Sequence, residues 1–153
     1  MKKKNGKFKF LYFLGLLLLP LELFAAEHTI EMLSSSDGQM MVFKPAVLKI
    51  DKGDTVKWIS KNPGHNSAAI EEMIPKGFKA WNGKINEEIS VKFTIEGIYG
   101  YKCTPHYILG MVGLIVVGNK TSNMENAKNF ALEAEKKFAT NKNRFTNYFS
   151  QIK

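Results

Sequence analysis

The sequence predicts an all-β domain, a sandwich or barrel of short strands, followed by two amphipathic α-helices. Three observations carry this reading. From residue 28 to about 118, short runs rich in β-branched and aromatic residues alternate with clusters of Gly, Pro, Asp and Asn. No helical pattern of crossover length separates those runs, which argues against a parallel βαβ sheet. After Gly118 the apolar spacing changes to three- and four-residue steps, the period of a helix that buries one face.

The first element lies outside the fold. Lys2, Lys3, Lys4, Lys7 and Lys9 precede an apolar run from Phe10 to Leu19, and Pro20 and Glu22 lead into Leu23-Phe24-Ala25-Ala26. A positive start, a short apolar middle and small residues at the cut form a secretory signal peptide. Residues 1–26 are therefore expected to be removed, by cleavage after Ala25 or Ala26. A retained anchor is the weaker reading, because spanning a bilayer takes about 20 apolar residues.

Within residues 27–120 the strands follow in order. His28 to Leu33 alternates, and Ser34 to Gly38 reads as a loop. Met41-Val42-Phe43 leads to Pro45, an edge or a bend because proline cannot donate to a ladder. Val47 to Ile50 alternates weakly, Asp51 to Asp54 turns the chain, and Thr55 to Ile59 is a strong strand. Ile89 to Ile95 alternates with period two, Gly97 turns it into Tyr99 to Cys103, and Met111 to Val117 is a final apolar strand. Between them, Asn62 to Asn86 holds Pro63, Gly64, Pro75, Gly77 and Gly83 without either period. It reads as a long irregular connection with one helical turn, and connections of that length are usually functional.

Residues 121–153 are a helical extension expected to pack on the same domain. Asn123 is the candidate N-cap, and Ala127, Phe130, Ala131, Ala134 and Phe138 share one face. A break at Asn141-Lys142-Asn143 precedes Phe145, Tyr148, Phe149 and Ile152 at the same spacing.

Composition narrows the function. The formal charge is +8, but 17 Lys and Arg against 13 Asp and Glu in residues 27–153 leave +4. That excess can steer an acidic protein partner. Its lysines form no dense run and accompany no nucleic-acid-binding motif, so nucleic acid is not an expected partner. Cys103 is the single cysteine, so no intrachain disulfide staples the domain. A lone thiol in an exported protein must be buried, paired with another chain, or bound to something.

Its neighbours suggest the last. In Cys103-Thr104-Pro105-His106-Tyr107-Ile108-Leu109-Gly110-Met111, a thiol, an imidazole and a thioether surround one short loop between two strands. A second imidazole, His65, sits in the upstream turn Pro63-Gly64-His65-Asn66. Two histidines and a cysteine in a plane, with a weak axial methionine, are the ligand set of a blue-copper site. Taken singly, Cys103 and Met111 would be core, His65 a turn residue and His106 a surface histidine; the conjunction is what is improbable by chance. Zinc rarely accepts a thioether, and its structural sites usually hold more cysteines. A Cys-His protease would need a further polar group to orient a histidine, and none is apparent here.

At these residues the chain resembles the cupredoxin family, and within it the pseudoazurin branch. The resemblance rests on Met41-Val42-Phe43-Lys44-Pro45, Gly64-His65-Asn66, Met73-Ile74-Pro75-Lys76-Gly77 and Gly97-Ile98-Tyr99-Gly100-Tyr101-Lys102-Cys103-Thr104-Pro105-His106-Tyr107, together with the two C-terminal helices. It implies a cupredoxin-like Greek-key β-sandwich and one copper ion cycling between Cu(I) and Cu(II), held by His65, Cys103, His106 and Met111. It further implies a monomeric periplasmic electron carrier, not an enzyme, with no stable membrane association after cleavage. The expected donor is a redox protein such as a cytochrome, and the expected acceptor a respiratory reductase such as copper nitrite reductase. The alternative is a periplasmic copper carrier or buffer with no redox role. Partners would dock at the His106 face, where Pro105, Ile108, Leu109 and Met41 form an apolar patch and Lys79, Lys84 and Lys102 are the candidate docking lysines. The resemblance also places the Asn66 amide on the Cys103 sulfur and Met41 near the histidines. Ile108-Leu109 departs from the small or flexible pair expected inside such a loop. Cleavage after Ala25 would also leave Ala26-Glu27-His28 at the N-terminus, a sequence able to bind a second Cu(II) through its amine, amides and imidazole.

Overall fold

Eight strands form two four-stranded sheets in a computed structural model that describes residues 25–152. The expected signal peptide lies outside the described residues except for its last two positions. The strands are β1 (Glu27–Ser36), β2 (Gln39–Lys44), β3 (Val47–Ile50), β4 (Thr55–Ser60), β5 (Ala68–Ala69), β6 (Ile89–Lys92), β7 (Gly97–Lys102) and β8 (Val112–Val117). Helices α1 (Met124–Glu135) and α2 (Arg144–Phe149) follow. One sheet runs β2-β1-β4-β6, the other β3-β8-β7-β5. Pairs β1–β4 and β3–β8 are parallel, and the rest are antiparallel. The predicted sandwich with two late helices is what forms.

Local sequence explains most of the elements. In β1 only alternate positions, Ile30 and Met32, reach the core, as a strand with one wet face requires. The strand outlasts its expected end: it runs through Ser34 to Ser36, with Ser35 and Ser36 paired to Met40 and Gln39, and only Asp37-Gly38 turns. Both turn residues have positive φ, 51° and 75°, the conformation a two-residue hairpin needs to match strand twist. The Asp-Gly pair therefore set the boundary, and the serines were carried into the ladder by it. Strand β8 does not alternate because neither face is wet. Ile115 and Val117 point into the layer between the sheets, while Val112, Leu114 and Val116 pack under the helices.

The space between the sheets is filled by Trp58, Phe43, Phe93, Tyr99 and Tyr101, all essentially inaccessible. Trp58 meets Tyr101 edge-on at a centroid distance of 5.3 Å, and Phe93 meets Tyr99 the same way at 4.9 Å. Gly113 has no side chain because Tyr101 already fills the place a Cβ would take. The long connection contains β5 and one 3-10 turn, Glu71–Met73.

Asn123 departs from its expected role. It stands just before α1, but its side chain makes no capping bond. Instead Oδ1 accepts the Ile98 N–H at 2.8 Å, and Nδ2 donates to the Ile98 carbonyl at 2.8 Å. The reason lies in β5, which covers β7 only at Tyr101 and Lys102. Ile98 has its outward backbone groups bare, and an unpaired buried backbone group costs more than an unused cap.

Candidate metal centre

Strand β7 ends one residue before Cys103, and the loop to β8 is closed by backbone bonds among the candidate ligands themselves. The Cys103 N–H donates to the Met111 carbonyl at 3.0 Å, and the Met111 N–H to the His106 carbonyl at 3.1 Å. Between them Tyr107–Leu109 make a 3-10 turn that Gly110 ends at φ 75°. This short ring ties the backbones of Cys103, His106 and Met111 together where the chain reverses.

His65 reaches the loop by separate means. Its turn is held by Asn86, whose Oδ1 accepts the Gly64 N–H at 2.6 Å and whose own N–H donates to the His65 carbonyl at 2.7 Å. The next residue binds the turn to the loop. Asn66 Oδ1 accepts the Thr104 N–H at 2.7 Å, while its Nδ2 donates to Thr104 Oγ1 at 3.1 Å and to the Gly83 carbonyl at 2.8 Å. Asn66 is buried, so these bonds are made away from competing water.

Three donor atoms then face one another. His106 Nδ1 lies 3.1 Å from His65 Nδ1, and Cys103 Sγ lies 3.4 Å from His106 Nδ1 and 3.7 Å from His65 Nδ1. A triangle with those sides has its centre about 2 Å from each corner, the length of a bond from a first-row metal to imidazole. His65 and Cys103 are fully buried, and His106 is half-exposed. Met111, also inaccessible, packs in the same apolar cluster as Cys103. Among the described residues these three form the grouping of His, Cys, Asp or Glu with metal-binding spacing.

Protonation suits metal uptake. Burial, and then the adjacent His106, push His65 below the ordinary imidazole value, so it offers a neutral lone pair. Burial pushes the Cys103 thiol up, against backbone N–H groups of Asn66 and His106 that donate to its sulfur. Those two donors favour a thiolate once a cation replaces the proton. Ser34 Oγ lies 3.1 Å from His65 Nε2, leaving Nδ1 to turn inward. Sequence reasoning missed Ser34, Thr104 and the Asn66 side chain. Only Asn66 left a trace, by standing beside His65 in a recognisable turn.

The residues expected around His106 differ in exposure. Pro105 is exposed, Ile108 is 53% exposed, and Leu109 and Met41 are half-buried. Met41 packs against the cluster that holds Cys103 and Met111. Met40, which the sequence did not single out, is 59% exposed. Lys79 and Lys84 are exposed, and Lys102 Nζ stands 4.8 Å over the Tyr107 ring. The third histidine is engaged elsewhere: His28 Nε2 lies 2.8 Å from Asp54 Oδ2, and Glu27 and His28 are paired with Thr55 and Val56. A second Cu(II) site at Ala26-Glu27-His28 would have to peel that strand from its sheet.

Comparison with known proteins gives a consistent picture. The family model for copper-binding proteins of the plastocyanin/azurin family matches residues 30–118. A pseudoazurin of Methylorubrum extorquens is 45% identical over 104 residues, 68% of this chain and 70% of that protein. One of Paracoccus pantotrophus is 41% identical over 105 residues, 69% of this chain and 72% of its own length. Among solved structures, a Sinorhizobium pseudoazurin superimposes with a TM-score of 0.75 at 40% identity, covering 84% of this chain and 97% of the other. The pseudoazurin of Methylobacterium extorquens does so at 0.73 and 39%, covering 83% and 99%.

Proposed function

The chain belongs to the plastocyanin/azurin family of copper-binding proteins and, within it, to the pseudoazurins, blue-copper electron carriers rather than enzymes; on that premise we propose that it is a periplasmic one-electron shuttle. A single copper ion is held by His65, Cys103, His106 and Met111. The observation that carries the assignment is the triangle of two imidazole nitrogens and one sulfur, buried at His65 and Cys103 and open at His106, on a loop that ends in Met111.

When bound, copper supplies a one-electron Cu(I)/Cu(II) couple. The protein's part is to keep the donors where both states accept them. Imidazole suits Cu(II), whereas thiolate and thioether suit Cu(I), so a mixed set compromises between the two. His65 and Cys103 are shut from water and cross-tied through Asn66, which limits rearrangement as the charge changes. His106 is the half-exposed member and the natural exit for the electron. Pro105, Ile108, Leu109 and Met41 around it form a dry contact face, and weak redox encounters bury only small areas of this kind.

The donor is a redox protein such as a cytochrome, the acceptor a respiratory reductase such as copper nitrite reductase, and the carrier itself a monomer freed by cleavage of its leader. The exposed Lys79 and Lys84 add positive charge for an acidic partner.

The deciding experiment is the visible spectrum of the copper-loaded, oxidised protein together with metal analysis. An intense thiolate-to-copper charge-transfer band with one copper per chain is expected, and the band should vanish in Cys103→Ala. A colourless Cu(II) protein would leave a copper carrier as the better description. The acceptor is tested by reduction of a candidate nitrite reductase with the reduced protein.

A further inference from the structure

The loop that carries His106 and Met111 presents three successive carbonyls outward, and one stretch of the C-terminal extension takes all of them. The Ala139 N–H donates to the Ile108 carbonyl at 2.8 Å. Thr140 Oγ1 donates to the Leu109 carbonyl at 3.0 Å, and Asn141 Nδ2 donates to the same oxygen at 2.8 Å. Arg144 Nη1 donates to the Gly110 carbonyl at 2.9 Å.

Arg144 does more than complete the series. The same guanidinium donates from Nη1 to the Met41 carbonyl at 2.6 Å and from Nη2 to the Met40 carbonyl at 3.1 Å. It is 5% exposed, and among the described residues no carboxylate forms a salt bridge with it. A buried cation satisfied by carbonyls alone is costly unless the fork geometry matters.

The three segments that meet there are each bent at a left-handed residue: Met41 at φ 53°, Gly110 at 75° and Asn141 at 53°. For Met and Asn such a conformation persists only where the surroundings over-determine it. A Cβ at Gly110 would meet Asn141 Cβ at 3.0 Å and the Phe138 ring at 3.2 Å, so loop and strap are in close contact.

We propose that Arg144 is a positioning residue for the metal centre. Its guanidinium locks the ligand loop at Gly110 to the β2 backbone at Met40 and Met41, and so sets where Met111 and the Met41 side chain stand relative to Cys103 and the histidines. The residue 139–144 strap makes α2 part of the site's supporting frame, although α2 contributes no ligand. This rests on the copper reading of the triangle.

The test compares Arg144→Lys, which keeps the charge and loses the fork, with Phe149→Leu, which loosens the same helix through its buried face and removes no hydrogen bond to the loop. In copper-loaded protein, Arg144→Lys should retain copper but shift the intensity ratio of the visible charge-transfer bands and the reduction potential. Phe149→Leu should leave both at the wild-type values while lowering the melting temperature. In metal-free protein, amide exchange at Gly110 and Met111 should quicken about tenfold in Arg144→Lys and not in Phe149→Leu.

Unchanged spectra and potential in a folded Arg144→Lys, or equal shifts in both variants, would overturn the proposal. Should Arg144→Lys fail to fold, Asn141→Gly keeps the left-handed backbone and drops one bond to Leu109. The same readouts must then move, and their constancy would overturn the proposal as well. A wild-type protein that takes up no copper would instead sink the copper reading. The exchange measurement, which needs no metal, would still decide the strap.

Discussion

Burial pushes the Cys103 thiol up, against the smaller opposing effect of the Asn66 and His106 backbone amides, so a cation must replace the proton for the sulfur to act as a thiolate ligand. His65 is prepared differently: neutral by burial, and turned by Ser34 so that Nδ1 looks inward. Met111 is the member whose contribution is separable. It is fully buried, and leucine has nearly its volume, so Met111→Leu should cost under about 1.5 kcal/mol of fold stability. If its sulfur is the long axial ligand, that variant keeps copper and colour and has a raised reduction potential, measured by voltammetry. Loss of copper on this change would contradict an axial role.

Among the elements, β8 and α2 carry most of the consequence. Strand β8 is sandwiched between the inner aromatic layer and the helices, so Met111, the residue just before it, is anchored by a strand with no wet face. Helix α2 is only Arg144–Phe149, too short to persist alone. Its start is satisfied from α1: Glu135, 5% exposed, accepts the Thr146 N–H at 2.8 Å and the Thr146 Oγ1–H at 2.7 Å. A carboxylate at a helix N-terminus answers both the free N–H groups and the helix dipole. Glu135→Ala should therefore lower stability by about 1–2 kcal/mol, read from thermal unfolding with far-ultraviolet circular dichroism. An unchanged melting temperature would mean that α2 is held by its apolar face alone.

At the scale of the whole molecule, the N-terminal strand is tied to the sandwich at Asp54. Its Oδ1 accepts the Ala26 N–H at 2.8 Å, Oδ2 accepts the Asp51 N–H at 3.1 Å, and His28 Nε2 stands 2.8 Å from Oδ2. Burial pushes this carboxyl up, but the bonds from His28, Ala26 and Asp51 outweigh it and hold it below the usual carboxylate range. A lowered native value contributes stability above the unfolded pKa of about 3.9, and that contribution fades as pH falls through the native value. Asp54→Asn should thus melt lower than wild type at pH 7, by about 1–3 kcal/mol of lost charged hydrogen bonding. The gap should close as the pH falls below about 4. A gap that stayed constant down to pH 2 would show that the carboxylate's charge is not what holds the strand.

What the sequence by itself determined were the features written within a short span of chain. Alternation in Ile89 to Val91, the single thiol beside His106 and Met111, and the helical spacing after Gly118 are local signals, because one strand, one loop or one helix face expresses them. The Asp37-Gly38 hairpin was equally local, and the run of serines before it concealed it. Only the tertiary structure decided the rest. It brought His65 onto the Cys103 loop through Asn66 and Thr104, turned Asn123 from a cap into a bridge to Ile98, and sent Arg144 to Gly110 and Met41. Each of those contacts satisfies a backbone group that no strand pairing serves, at a sheet edge for Ile98 and in the ligand loop for Thr104 and Gly110, and only the folded chain shows which groups those are. The ligand loop could be read from Cys103 to Met111; the frame that holds it at one distance from His65 could not.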